Sequence, residues 1–246
     1  MSGTLFLWGL GLALLGAVLV LATRQGTPGA ALLGFVVSML IVLGFGPGAM
    51  APVALFVLGS GFLTRLGRRR KEQMRAAEPD RGRRRAVHVA AKLGVPALLG
   101  LAAALQPEIR VVAGTGAAAA LAAAFADTAA TEVGPLAGGS VARLQGARWA
   151  RAAHGEPGGV SAAGLAAGAG AALLTAALAR AVGLGAPQCA PLLAFGAGFG
   201  AMILESIVAG TEAGRRLGHF GRNALLSALA AAGGCTLAAA VGRGTG

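Results

Sequence analysis

Asp127, Thr128, Thr131 and Glu132 put two carboxylates and two hydroxyls at the end of a stretch that is otherwise apolar. On a helix, Asp127 and Thr131 share one face, and Thr128 and Glu132 share a neighbouring one. Ionised groups in hydrocarbon are unfavourable by about 3 kcal/mol each on insertion scales, and the chain places two of its nine acidic residues here. Carboxylates with hydroxyls are the ligands expected for Mg²⁺, which takes one or two carboxylates and completes its shell with water and substrate phosphates. Matching chemistry recurs downstream. Gly155-Glu156-Pro157-Gly158-Gly159-Val160-Ser161 opens an apolar segment with glycines that free backbone amides at a helix N-terminus, where phosphate is favoured. Glu205-Ser206 stands near the end of a later segment and Asn223 starts the last, while Lys71, Arg75 and the Arg81–Arg85 cluster supply cations. Carboxylates, free amides and cations suffice for phosphoryl transfer, which rests on positioning and charge neutralisation. The plainer alternative is that Asp127 and Glu132 are interfacial carboxylates solvated by the following loop.

The elements that must position these groups are membrane helices. The chain of 246 residues is 56% hydrophobic and has a mean hydropathy of +0.73, well above ordinary soluble domains. Apolar stretches long enough to cross a bilayer run over 4–22, 28–45, 49–64, 86–105, 111–133, 159–183, 187–210 and 223–241. The third is the weakest, being short and broken by Pro52 and Gly59. None alternates with the period of a membrane barrel. The expected fold is an all-α polytopic bundle of seven to eight spanning helices, a single integral-membrane domain over 1–246. Gly134-Pro135 is expected to end the fifth span. The first segment lacks a basic N-terminal region and a convincing cleavage pattern, so it is expected to be a retained helix.

Charge orients the bundle. With eight spans, one side carries Arg24, ten basic residues from Arg65 to Arg85, Arg143, Arg148, Arg151, Arg215, Arg216 and Arg222. That makes 17, against Arg110, Arg180 and Arg243 on the other side, with Lys92 left inside a helix. Such a skew marks the first side as cytoplasmic and sets both termini outside. Loops at 65–85 and 134–158 then face the cytoplasm, with Asp127, Glu132, Gly158, Glu205 and Asn223 at their level. A bacterial-type cytoplasmic membrane is the expected location. Much of the basic charge serves orientation and contact with anionic head groups. Nucleic-acid binding does not fit, because no aromatic residues are interleaved with the charge.

Other features are neutral on chemistry. Cys189 and Cys235 have no metal-ligand spacing and no disulfide framework, and His88, His154 and His219 read as interfacial residues. Gly164, Gly168 and Gly170, like Gly196, Gly198 and Gly200, form small-residue surfaces suited to close helix packing, or to a homo-oligomer face.

The chain resembles the integral-membrane family of unknown-function domains that includes the plant phytyl-phosphate kinase of the vitamin E pathway and human transmembrane protein nineteen. The resemblance runs from about residue 56 to 240. It rests on Thr64-Arg65-Leu66-Gly67 with Lys71-Glu72, on Gly82-Arg83-Arg84, and on Ala126-Asp127-Thr128-Ala129-Ala130-Thr131-Glu132-Val133-Gly134. It also includes Gly158-Gly159-Val160-Ser161 and Glu205-Ser206, the latter where the family has aspartate-serine. The chain departs from the pattern at His88 and Lys92-Leu93, where a glutamine and an asparagine-glycine are usual, and keeps only Asn223 at the start of the last span.

What the resemblance implies is a kinase that converts an isoprenyl monophosphate, such as phytyl phosphate, to the diphosphate with a nucleoside triphosphate, CTP or ATP. Asp127, Glu132 and Glu205 would hold Mg²⁺, with Thr128 and Thr131 orienting them. Gly158, Gly159, the Val160 amide, Ser161 and Asn223 would bind phosphate or nucleotide, and Lys71, Arg83 and Arg84 would neutralise charge. A transporter or flippase using the carboxylates as an ion relay is the alternative, and a noncatalytic family member is another.

Overall fold

The computed structural model describes residues 3–145, 148–186 and 190–244. Nearly all of it is helix: α1 (Gly3–Ala22), α2 (Pro28–Phe45), α3 (Met50–Arg65), α4 (Arg68–Gln73), α5 (Ala86–Leu105), α6 (Arg110–Ala137), α7 (Ala162–Ala181), α8 (Ala190–Ala209) and α9 (Glu212–Gly244). Eight of these are long and apolar enough to cross a membrane, including the weak third one once the turn from Pro47 is joined to α3. The polytopic all-α bundle expected from hydropathy is therefore the observed architecture, and α4 is a short addition in the basic loop.

The helix starts follow from their caps. Thr27 accepts from the Ala30 amide ahead of Pro28, and Ser161 accepts from the Gly164 amide at the head of α7, each satisfying a donor that the helix leaves open. Two boundaries differ from expectation. α6 does not stop at Gly134-Pro135 but runs to Ala137 and ends at Gly138 (φ 74°). Gly134 and Pro135 are buried, and a Cβ on Gly134 would meet Ser161 Oγ at 3.0 Å, so packing holds the turn that Pro135 weakens. The last span begins at Glu212, not Asn223, and breaks at Gly218 (φ 66°, ψ 179°). That break puts His219, Arg222 and Asn223 in the first turns of its long segment.

α6 is the centre. Its residues from Ala113 to Ala126 are all buried, and it packs on α2, α3, α5, α7, α8 and α9. A run of alanine, glycine and threonine makes this possible, since small side chains let membrane helices approach closely where lipid offers no hydrophobic drive. Of the glycine surfaces, Gly164 faces the Ala130 carbonyl, Gly168 faces Met202, and Gly198 faces the Ala119 carbonyl, whereas Gly170, Gly196 and Gly200 meet nothing within 4 Å. Internal packing thus uses half of them.

The loops at the basic end touch each other. The Gly26 and Arg84 backbones form a bridge, and a Cβ on Gly155 would reach Ala76. The loop after α6 forms an antiparallel hairpin of β1 (Val141–Gln145) and β2 (Arg148–Ala152), with Ala142 also bridging Val160. Cys189 and the Arg81 side chain lie outside the described residues.

Candidate functional site

Five helices (α5 to α9), β1 and the loops at Glu78 and His154–Ser161 line a cavity of about 210 Å³ at the basic end. Its wall includes Glu78, Asp127, Glu132, Glu156 and Glu205, five of the nine acidic residues. Each is paired with a different cation. Lys92 holds Asp127 at 2.8 Å, Lys71 holds Glu132 at 2.5 Å, and Arg222 holds Glu205 at 3.0 Å. Arg84 lies 3.2 Å from Glu78 and Arg143 lies 3.7 Å from Glu156. So many carboxylates around so small a space would repel one another without these partners.

The Asp127–Glu132 motif faces the cavity with Asp127, Thr128, Thr131 and Glu132. Thr128 donates back to the Ala124 carbonyl at 3.0 Å and accepts from Lys92 at 2.9 Å. The Lys92 ammonium is therefore shared by Thr128, Asp127 and, at 3.4 Å, the Ala124 carbonyl. Glu132 is 2% exposed, and its Oε1 has no partner among the described residues. Glu205 and Asn223 reach the cavity from α8 and α9, and Asn223 Nδ2 lies 3.1 Å from His219 Nε2. Asp127, Glu132 and Glu205 thus share one space, each with one oxygen on its own cation. Among the described residues no three His, Cys, Asp or Glu side chains form a metal cluster.

Several expected phosphate ligands are committed elsewhere. Lys71 is fully buried, donating to the Leu63 and Thr64 carbonyls as well as to Glu132. Its three donors are saturated, so it fixes Glu132 and the end of α3 instead of meeting substrate. Arg83 is exposed and donates to the Gly26 carbonyl, and Arg84 is turned toward a different cavity. The Val160 amide donates to Ala142 and the Gly159 amide to Glu156, which removes both from the expected cradle. Gly158, Gly159, Val160 and Ser161 do line the cavity, and helix geometry leaves the Ala162 and Ala163 amides without an intrahelical acceptor.

Gly158 owes its identity to packing. Its φ is +80°, and a Cβ there would meet the Gly210 nitrogen at 2.6 Å and the Ser206 carbonyl at 2.8 Å. Left-handed backbone alone disfavours alanine by about 1–2 kcal/mol. Gly158→Ala is thus expected to lower the melting temperature of the purified protein, because backbone neighbours cannot move aside as side chains do. Unchanged melting would mean that this turn is not seated on the end of α8.

Glu78, His154, His219 and Arg222 also line the cavity without having stood out in the sequence, and Lys92, there a cation left inside a helix and a departure from the family pattern, joins them. Burial alone would raise the Glu78 carboxyl, but the charges of Arg84, Lys92 and His219 prevail and hold it below the usual carboxylate range. The signal for Lys92 was present: a lone lysine inside a span needs an internal anion.

A second, larger cavity of about 500 Å³ runs between α1, α2, α3 and α5 and is mostly apolar. Lys92 and Thr128 line both cavities. They form the wall between a carboxylate-rich chamber and a hydrocarbon-lined groove.

A family model described as "Integral membrane protein DUF92" matches residues 10–217 of the chain. No curated protein and no solved structure matches it.

Proposed function

The chain belongs to the DUF92 family of integral membrane proteins, and we propose that it is a membrane-embedded kinase acting on an isoprenyl monophosphate at the cytoplasmic face. The observation that carries the reading is the shared wall of Lys92 and Thr128. An amphiphile with its chain in the apolar groove would bring its phosphate to that wall, beside the chamber where a nucleoside triphosphate would sit. In the transfer, an oxygen of the acceptor phosphate bonds to the donor's terminal phosphorus as the bridging P–O bond breaks, and the nucleoside diphosphate leaves. Lys92 would neutralise the acceptor phosphate, and Asp127 and Thr128 would hold Lys92 in place. Arg222 and the first amides of α7 would meet donor phosphates.

The donor set fits Mg²⁺, which needs only one or two carboxylates beside phosphate oxygens. Asp127, Glu205 and the unpartnered Oε1 of Glu132 are the oxygens available to it. The ion would offset triphosphate charge when bound. Without it, the five cations already balance the five carboxylates.

An ion relay across the bilayer would instead require titratable groups through its depth. Between Glu108 in one connection and Asp127 near the other end, α6 carries no acidic residue. This distribution favours the kinase over the transporter.

The test is an assay of purified protein in nanodiscs with a panel of prenyl monophosphates, CTP or ATP, and Mg²⁺. The expected product is the prenyl diphosphate, lost on chelation of the metal. No diphosphate with any acceptor and either nucleotide would overturn the reading.

A further inference from the structure

The wall between the two cavities has charge to offer but no free hydrogen. The three Lys92 donors are spent on Asp127, Thr128 and the Ala124 carbonyl, and the Thr128 hydroxyl donates to that same carbonyl. Arg84, on the groove side, is paired with Glu78. Arg24 and Arg65 line the groove only beside the loops, where Arg65 donates to the Thr23 carbonyl. A phosphate brought to this wall meets an ammonium there and must find its hydrogen bonds elsewhere.

Two buried hydroxyls on α3 lack partners. Ser60 and Thr64 lie four apart on one helix face, are 7% and 6% exposed, and line the groove. Among the described residues neither oxygen has a hydrogen-bond partner. Thr115, Thr128 and Thr175 instead each donate to the carbonyl four residues earlier, as does Thr23 at the end of α1. An unpaired hydroxyl is unfavourable in an apolar setting, so two together at one place mark a use. Their level matches the wall. Ser60 stands five residues before the Arg65 end of α3 and Lys92 six after the Ala86 start of α5, which sets both about 8–9 Å deep at 1.5 Å per residue. The Phe56 ring, one turn from Ser60, lies 5.9 Å from Lys92 Nζ. Lys71 holds the Leu63 and Thr64 carbonyls, so the turn that carries Thr64 is fixed in place.

We infer that Ser60 and Thr64 bind the phosphate of the acceptor, each hydroxyl donating to one of its oxygens and leaving the third to face the wall. The inference rests on the kinase reading, which brings that phosphate to Lys92 and Thr128. The two hydroxyl oxygens are sealed from solvent. A turn of χ1 to another staggered well presents each to the groove and breaks no hydrogen bond, since none is made. Specificity follows from the count of oxygens. A phosphate monoester has three free ones, two for α3 and one to attack the donor's terminal phosphorus. A diester has two, and its second ester group would take the place of the attacking oxygen. The pair thus selects a monoester over the diester lipids that surround the protein.

The test uses Ser60→Ala, Thr64→Val and the double variant in nanodiscs without nucleotide, with binding read from the rise in melting temperature that geranylgeranyl phosphate produces. Without ligand, the variants should melt no lower than the wild type, because each removes an unpaired buried hydroxyl. Affinity for geranylgeranyl phosphate should fall by about tenfold per hydroxyl, the scale of a hydrogen bond to a charged group. Its methyl ester, a diester on the same chain, should bind the wild type about tenfold more weakly, and the double variant should no longer distinguish the two. A lower melting temperature without ligand would give the hydroxyls a structural role and overturn the inference. So would wild-type affinity in the double variant, equal binding of ester and monoester by the wild type, or no shift at all. Phosphatidic acid carries a monoester on two chains, and equal binding of it would assign the pair to bulk lipid, again overturning the inference. Binding does not depend on turnover. Selective, hydroxyl-dependent binding without transfer defeats the kinase and spares the pair, and transfer with an unchanged KM in the double variant does the reverse.

Discussion

Asp127→Asn is expected to lower transfer to phytyl or geranylgeranyl phosphate by about 10²–10³-fold, the usual effect of removing one preorganised electrostatic group, with expression preserved and melting lowered but still cooperative. The substitution keeps the shape of the side chain and removes only its charge. Lys92 would retain two acceptors, the Thr128 hydroxyl and the Ala124 carbonyl. The pair is mostly buried, with the Asp127 and Lys92 side chains 20% and 10% exposed, so leaving the Lys92 ammonium with neutral acceptors alone should reduce stability by about 3 kcal/mol, the lower end for a buried pair that loses one partner. Turnover per folded molecule therefore separates from stability at this position, since the folded variant keeps the geometry and lacks only the charge. Turnover of the purified variant, beside its melting curve, checks both halves. Unchanged turnover would remove Asp127 from the site.

That separation depends on distances no sequence pattern contains. The spans and their order were legible because an apolar run of the right length has few alternatives in lipid. The meeting of Asp127, Glu132, Gly158, Glu205 and Asn223 at one end was legible too, through the alternation of basic loops. Their partners were not. Lys71 reaches Glu132 across 61 residues and Lys92 reaches Asp127 across 35, and nothing local ties one cation to one carboxylate. Lys71 read as a phosphate ligand because it stands in an arginine-rich loop, yet it is fully buried. The Gly134-Pro135 stop failed because neighbouring α7 supports the extra turn. The apolar groove left no trace in the sequence, since residues lining it are of the same types as those facing lipid.

Lys71→Met is expected to be the most destabilising single change, lowering stability by about 3–5 kcal/mol, as for a buried ion pair that loses one partner. The Lys71 ammonium holds Glu132 Oε2 at 2.5 Å, the Leu63 carbonyl at 2.8 Å and the Thr64 carbonyl at 3.1 Å. Its removal leaves a carboxylate that is 2% exposed, with Oε1 already unpartnered, and two carbonyls without their donor. The double variant Lys71→Met, Glu132→Leu removes both charges together. It should regain most of the loss, less about 1 kcal/mol for each orphaned carbonyl. Melting of the two single variants and the double, measured in one detergent, forms a cycle that isolates the pair. A double variant no more stable than Lys71→Met would mean that the ion pair is not the source of the damage. Transfer should stay lost in the double variant, because Glu132 also faces the chamber. Recovery of transfer together with stability would make Glu132 an anchor for Lys71, leaving Asp127 and Glu205 as the carboxylates that serve the substrate.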